Sequence, residues 1–252
     1  MRITREPGSV APRLDSVFTR AIVHEIEKFD DLLRFLRSEQ AEHPDVTVFV
    51  TLDDVAQAFY TSMHATESDE LEIDTDDLDF LGDPGADRIR QRRQFAHTLA
   101  QLARDDLRVR WADLRDSRPS SAEQIDVLAA VNESPADILD DAILVMHVPT
   151  DDTSAAIAAL PNGYFSDDWN VFENHAVARR LALDFGYHPL GVGASWVGFV
   201  REAPLSADLA DRLVVDLGDL YGEPDAPGWA RLADAVTRSS TLFLGYTDNF
   251  AD

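Results

Sequence analysis

The stretch FGYHPLGVGASWVGF, residues 185–199, contains four glycines in fifteen residues and decides how the C-terminal half is predicted to fold. It follows a segment in which Val177, Leu181 and Phe185 recur at every fourth position, which is typical of an amphipathic helix. Gly186 then stands where a helix commonly ends in a residue of positive φ. The remaining residues predict two strands, at 188–193 and 195–202, joined by a tight turn.

A glycine-rich stretch can also bind phosphate, but the order of elements around this one is wrong for that function. A dinucleotide-binding loop needs a strand before its glycines and a helix after them, whereas here a helix precedes and a strand follows. The Gly-Lys-Ser/Thr sequence of a P-loop is also absent. We therefore interpret the glycines as the end of a helix and a hairpin.

The elements on either side of this hairpin indicate an α+β fold. DAILVMHV (141–148) is an apolar strand, and DDTSAAIAAL (151–160) is predicted to be helical. Asn170 followed by Glu173 is a capping-box pattern at the start of the next helix. Two more helices and a strand at 240–246 complete the order β-α-α-β-β-α-α-β, which predicts a mostly antiparallel sheet flanked by helices.

The N-terminal half alternates helix and strand patterns and is predicted to be an α/β region. Residues 18–36 fit either one helix or a strand followed by a helix that begins near Asp30. Further segments are predicted as strands at 45–52 and 107–114, a possible strand at 71–73, and helices at 53–64 and 86–104. DSRPSS (116–121) is the best linker candidate, so we predict a domain at 1–118 and another at 119–252.

The most distinctive property of the whole chain is its charge. It has 47 acidic and 22 basic residues, which give a formal net charge of -25. The acids are dispersed, which favours a surface that keeps its hydration in concentrated salt and indicates a halophilic source. An acidic surface could also cover a basic protein partner or mimic nucleic acid. Direct nucleic-acid binding is not expected from such a charge.

Other global features exclude several classes of protein. The chain has no cysteine, so disulfides, thiolate catalysis and cysteine-ligated zinc are excluded. No apolar run is long enough for a membrane helix, and the N-terminus lacks the pattern of a secretory signal. We therefore predict a soluble cytoplasmic protein and no cofactor.

The C-terminal half resembles the uncharacterised domain-of-unknown-function family 4253 over about residues 138–249. The resemblance lies in ILVMHVPTDD (143–152), DDWN (167–170), LDFGYHPLGV (183–192), SWVGFVREAP (195–204), LYGEPDAP (220–227) and LFLGYTD (242–248). The residues that are identical to the pattern of that family are Trp169, Asn170, Gly186, Pro204 and Asp248. A tryptophan pair near the end of that family is replaced here by Gly245 and Tyr246. The resemblance implies a fold but no known activity.

FSDDWN (165–170) is the first place where we expect a ligand site. Its two carboxylates, amide and indole could line a small pocket, although the same residues could simply cap and pack the following helix. A metal site built from His175, His188 and nearby aspartates is geometrically possible. The candidate binding residues are Asp167, Asp168, Trp169, Asn170, Glu173, His175, His188 and Asp248.

No catalytic motif is present, so we predict no catalytic residue. The preferred hypothesis is a non-enzymatic binding or accessory module, of an immunity or regulatory type, with a basic protein partner. The alternatives are an enzyme with carboxylates Asp167 and Asp168, assisted by a metal through His175 or His188, and an acidic mimic of nucleic acid. The oligomeric state is left open.

Overall fold

The computed structural model describes residues 1–5, 16–83 and 85–251 and shows the expected α+β architecture. Its strands are β1 (Arg2–Thr4), β2 (Thr19–His24), β3 (Thr47–Thr51), β4 (Ala142–Val148), β5 (His188–Val192), β6 (Trp196–Val200) and β7 (Thr241–Gly245). Its α-helices are α1 (Phe29–Glu42), α2 (Val55–Ala65), α3 (Ala86–Leu102), α4 (Ala122–Glu133), α5 (Val171–Phe185), α6 (Ala207–Tyr221) and α7 (Gly228–Arg238). None of these helices is long and apolar enough to cross a bilayer.

The strands of the described residues form one sheet in the order β1-β2-β4-β3-β5-β6-β7. Every neighbouring pair is antiparallel except β3 and β5, which run parallel. All residues of β3 and β7 are buried, so both faces of the sheet are covered at these strands. The mostly antiparallel sheet predicted from the sequence is thus confirmed.

This single sheet contains strands from both halves of the chain. β4 lies between β2 and β3, so a strand from the 119–252 segment pairs on both sides with strands from the 1–118 segment. One large apolar cluster also contains buried side chains from both segments, such as Leu32 and Leu217. The predicted boundary near residues 118 and 119 therefore does not coincide with a division of the sheet or of the core.

Three segments differ from the sequence-based expectation. Residues 107–114 form no strand but two short 3-10 helices, Asp105–Leu107 and Trp111–Leu114. Local contacts satisfy this backbone, since Asp113 accepts hydrogen bonds from both the amide and the guanidinium of Arg110. The possible strand at 71–73 is a turn and coil. The predicted helix in 151–160 is a 3-10 helix, Thr153–Ala159.

The glycine-rich stretch folds as predicted. Gly186 ends α5 with a φ of 70°, the left-handed conformation that glycine adopts without strain. β5 and β6 pair antiparallel, and their register aligns His188 with Val200 and Val192 with Val197. The turn between them is held by the Tyr246 hydroxyl, which lies 2.8 Å from the Gly193 carbonyl oxygen and 2.7 Å from that of Ala194. The glycines therefore mark a helix end and a hairpin.

Glycine is required where β5 approaches β3. A Cβ atom added at Gly191 would lie 2.3 Å from the carbonyl oxygen of Val50, inside van der Waals contact. A Cβ atom at Gly193 would meet the Asp53 side chain, whose Oδ2 accepts a hydrogen bond of 2.8 Å from the amide of Ser195. The parallel pairing and the hairpin turn thus depend on the absence of side chains at these two positions.

Substituting Gly191→Ala should lower the free energy of unfolding by about 1–3 kcal/mol or more, because the obstructing atom belongs to a backbone that cannot move alone. Gly218→Ala in α6 is the matched control, since nothing lies within 4 Å of an added Cβ there. That control should stabilise the protein by up to about 1 kcal/mol through helix propensity. Urea titration of both variants measures the difference, and equal effects would contradict this account of the β3–β5 contact.

Candidate functional site

The segment that precedes α5 lines a pocket of about 630 Å³. We call it the acidic pocket; its lining residues are Asp116, Ser117, Arg118, Pro119, Gly163, Tyr164, Phe165, Ser166, Asp167, Asp168, Trp169, Asn170, Glu173 and Asp248. Six of the eight candidate residues from the sequence are among them. The structure therefore brings together six candidate residues from positions 167 to 248 and places residues 116–119 beside them.

The predicted capping box fixes the α5 side of the acidic pocket. Asn170 Oδ1 accepts hydrogen bonds from the amides of Phe172 and Glu173, at 2.9 and 3.1 Å. Glu173 Oε2 in turn accepts a hydrogen bond of 2.8 Å from the Asn170 amide. Both side chains therefore have the local structural role that the sequence allowed for them, in addition to lining the pocket.

Trp169 forms part of the pocket wall and is almost completely buried, with 1% of its surface exposed. Its indole Nε1 donates to Ser117 Oγ at 2.8 Å, and its backbone amide donates to the Tyr246 carbonyl at 2.9 Å. The indole ring also packs against Tyr221. Trp169 is therefore a packing residue that ties the loop before α5 to β7 and to residues 116–121.

Arg118, which the sequence placed in a linker, lies in the pocket and is only 4% exposed. The segment around it is not a free linker, because the amides of Asp116, Arg118 and Ser120 bond to carbonyls at the end of α6. The Arg118 Nη1 donates to the Tyr246 carbonyl at 3.1 Å. Within the described ranges the guanidinium forms no ion pair. An arginine between Ser117 and Pro119 forms no sequence pattern that predicts a buried position in a pocket.

The electrostatics of the pocket are dominated by carboxylates. Asp168 is 8% exposed, and burial raises its pKa to about 6, although a backbone hydrogen bond from Phe165 and the charge of Arg118 act in the opposite direction. Burial also raises the pKa of Glu173, while its hydrogen bond from Asn170 and the charge of Arg118 oppose this. The single guanidinium therefore does not compensate fully for the acidic groups around it.

Two exposed aromatic rings border these carboxylates. Tyr164 and Phe165 are 46% and 52% exposed, and their ring centroids lie 5.2 Å apart. The Tyr164 ring also lies against His64 of α2. Aromatic faces next to carboxylates form an environment that suits a cation.

The two candidate histidines do not line the acidic pocket. His175 is buried, with its Nε2 at 3.2 Å from Ser154 Oγ, and burial lowers its pKa to about 4. The exposed His188 has its Nδ1 at 2.9 Å from Thr153 Oγ1. Each histidine thus bonds to a hydroxyl of the 3-10 helix Thr153–Ala159, and neither belongs to a metal-ligand cluster among the described residues.

No family model, curated protein or solved structure matches this chain. The resemblance to the domain-of-unknown-function family 4253 therefore stays a prediction from sequence. The geometry of the site carries the functional argument.

Asp168→Asn should make the protein more stable at pH 7, because it removes a carboxylate that is costly to ionise. The pKa of Asp168 is about 6 in the folded state, against 3.8 for an unperturbed aspartate. At pH values between these two, the folded protein therefore holds a proton that the unfolded chain has released. This bound proton stabilises the folded state fully below about pH 4, and its contribution to the free energy of unfolding is lost as the pH rises to about 6. The variant's advantage should therefore grow over this window to about 1–3 kcal/mol.

Urea unfolding of the native chain and the Asp168→Asn variant at several pH values between 4 and 7.5 measures this difference. Burial also raises the pKa of Asp53 to about 6. Asp53 is present in both proteins, so its contribution to the pH dependence cancels in the difference. A difference in unfolding free energy that stays constant across the range would contradict the assignment.

Proposed function

We propose that the protein is a non-enzymatic binding module that accepts a cationic side chain of a basic protein partner in the acidic pocket. The observation that carries this proposal is Asp168, a buried carboxylate of raised pKa that forms no ion pair within the described ranges. A guanidinium or ammonium group in the pocket would supply the missing counter-charge.

The balance of charge in the pocket supports a cation rather than an anion. Five carboxylates line it, from Asp116, Asp167, Asp168, Glu173 and Asp248, against the one guanidinium of Arg118. Asp167 and Asp248 are exposed and can attract a cation, whereas Asp168 is buried and can pair with it out of water. The attraction between two opposite charges is stronger where water is partly excluded than at the exposed surface.

The exposed rings of Tyr164 and Phe165 support a protein partner over a small free amine. Together they offer apolar area beside the carboxylates, and an aliphatic stem of arginine or lysine can lie along it. Aromatic residues are also enriched at protein interfaces. The pocket and its rim thus match one basic side chain and the apolar surface around it.

We also propose that the protein works in the cytoplasm of a halophile. The net charge of -25 leaves most carboxylates without a basic partner, and their repulsion is suppressed only when salt is concentrated. Salt that screens surface pairs affects a buried pair less. A partly enclosed acidic pocket can therefore still bind a cation in the salt that its surface requires.

An enzyme is the second candidate function, favoured by the pKa of Asp168. A carboxyl group that titrates near pH 6 is suited to transfer protons at neutral pH. Asp167 lies next to it in the chain and also lines the pocket. In that case Asp168→Asn would abolish turnover of a substrate rather than weaken the binding of a partner.

Cation binding should depend on pH in a direction fixed by Asp168. A bound cation favours the ionised carboxylate, so binding should be tighter at pH 7.5 than at pH 5 and should release protons near pH 6. Calorimetry in two buffers of different ionisation enthalpy, with a hexa-arginine peptide and with spermidine as probes, measures the affinity and the proton release. Tighter binding of the peptide would identify a protein partner, and tighter binding of spermidine a free amine.

Asp168→Asn should weaken binding of the peptide by roughly ten-fold or more, because it removes the buried member of the pair. Asp225→Asn is the matched control, since it removes one exposed carboxylate from a loop outside the pocket. Equal weakening in both variants would show that only net charge attracts the peptide and would refute the pocket as the binding site.

Concentrated salt should stabilise the folded chain. Raising KCl from about 0.1 M to about 2 M shortens the screening length to a few Å and suppresses repulsion between the carboxylates. The thermal midpoint followed by circular dichroism should rise by several degrees. A midpoint that is unchanged or lower in KCl would contradict salt adaptation without affecting the proposal for the acidic pocket.

A further inference from the structure

Three metal-ligating side chains converge where α1 ends beside β4. Glu39 and His43 are four residues apart, at the end of α1 and at its C-cap, and His147 lies on β4. One ligand atom from each lies within 4.8 Å of the other two, and among the described residues this is the group that could hold a metal ion. It shares no residue with the acidic pocket.

The distances fit a tetrahedral metal site. Glu39 Oε2 and His147 Nε2 are 3.3 Å apart. Two ligands bound to zinc at about 2.0–2.1 Å in a tetrahedron are separated by roughly 3.4 Å. The rings of His43 and His147 also lie close, with centroids 4.5 Å apart. Small rotations of the side chains would thus complete three bonds to one ion.

Glu39 Oε2 and His147 Nε2 lie opposite each other as an ion pair that lacks good hydrogen-bond geometry. Glu39 is 1% exposed, and both atoms are inaccessible to water and have no well-aligned hydrogen bond within the described residues. Buried polar atoms are nearly always hydrogen-bonded, so a poorly aligned pair at this distance leaves both atoms available to a ligand. A cation bound between them would satisfy both.

Neighbouring side chains hold the ligands in place. Arg5 Nη2 donates to Glu39 Oε1 at 2.5 Å, which leaves Oε2 as the oxygen for a metal. Gln40 fixes the chain around His43, since its Nε2 donates to the carbonyls of His43 and Val46, at 3.3 and 2.7 Å. Its Oε1 accepts a hydrogen bond of 2.9 Å from the amide of Val48. The contact of Arg5 with Glu39 is of the kind that orients ligands in metal sites, whereas Gln40 fixes the backbone that carries His43.

We propose that Glu39, His43 and His147 bind a divalent transition-metal ion of the zinc class. Two imidazoles and one carboxylate suit zinc and its first-row neighbours, whereas magnesium and calcium prefer oxygen ligands alone. Three protein ligands leave a fourth position for water or another small ligand. His43 and His147 line a neighbouring pocket of about 710 Å³ whose other charged residues are Arg5, Arg20, Arg92 and Asp45. A fourth ligand that approached from this pocket would meet a net positive charge and is favoured to be an anion.

Zinc chloride added to the metal-free full chain tests the site directly. Calorimetry should show one zinc ion bound per chain, with magnesium chloride giving no heat of binding. Cobalt chloride should give the intense visible absorption of a tetrahedral ion. Zinc in large excess over its dissociation constant should also raise the thermal midpoint, because it binds the folded state. Absence of saturable zinc binding would overturn the proposal and leave Glu39 and His147 as a structural ion pair.

Variants assign the ligands. His43→Gln and His147→Gln should each weaken zinc binding by roughly ten-fold or more and should remove the rise in thermal midpoint. His24→Gln is the matched control, since it removes an imidazole from β2, the strand next to β4, and should bind zinc as the native chain does. His43 lies at a helix end, so His43→Gln keeps the test decisive if His147→Gln fails to fold. Unaltered zinc binding in His43→Gln would overturn the assignment.

Discussion

The close approach of β3 and β5 is the contact on which the rest of the fold depends. It is the one parallel pairing in the described sheet, and it joins the antiparallel group β1-β2-β4-β3 to the antiparallel group β5-β6-β7. The backbones come so near that no side chain fits at Gly191, against Val50. Asp53, just after β3, then bonds to the turn of the next hairpin through the amide of Ser195. A side chain at this contact would therefore weaken the junction between the two groups of strands.

Tyr246 connects this contact to the acidic pocket. Its hydroxyl bonds to the hairpin turn at Gly193 and Ala194. Its carbonyl accepts hydrogen bonds from the Trp169 amide and from Arg118 Nη1. The residue that fixes the glycine-rich turn on one side therefore positions two residues of the pocket on the other. The order of the site therefore depends on the turn that these glycines allow.

Local contacts could be predicted from the sequence, whereas contacts between distant residues could not. The helix end at Gly186 and the capping box of Asn170 and Glu173 involve residues within four positions of one another, so the sequence specifies them directly. Arg118 was predicted only as part of a linker, because its position in the pocket depends on pairing of its segment with the end of α6. The Glu39-x-x-x-His43 spacing was visible in the sequence, but the third ligand, His147, comes from a strand about a hundred positions later. The alternating pattern at 107–114 predicted a strand wrongly, since alternation cannot reveal that a segment has no strand beside it.

The acidic pocket has an energetic cost, which supports the proposed binding role. A cap for α5 needs only Asn170 and Glu173, which already satisfy each other's amides. Asp168 adds nothing to that cap, and its burial raises its pKa to about 6, so at neutral pH it destabilises the chain that carries it. Arg118 reduces this cost but forms no ion pair with any carboxylate of the described residues. Costly buried charges are common at functional sites. In the proposed complex, a cation beside Asp168 would offset the cost of its burial and so contribute to the binding free energy.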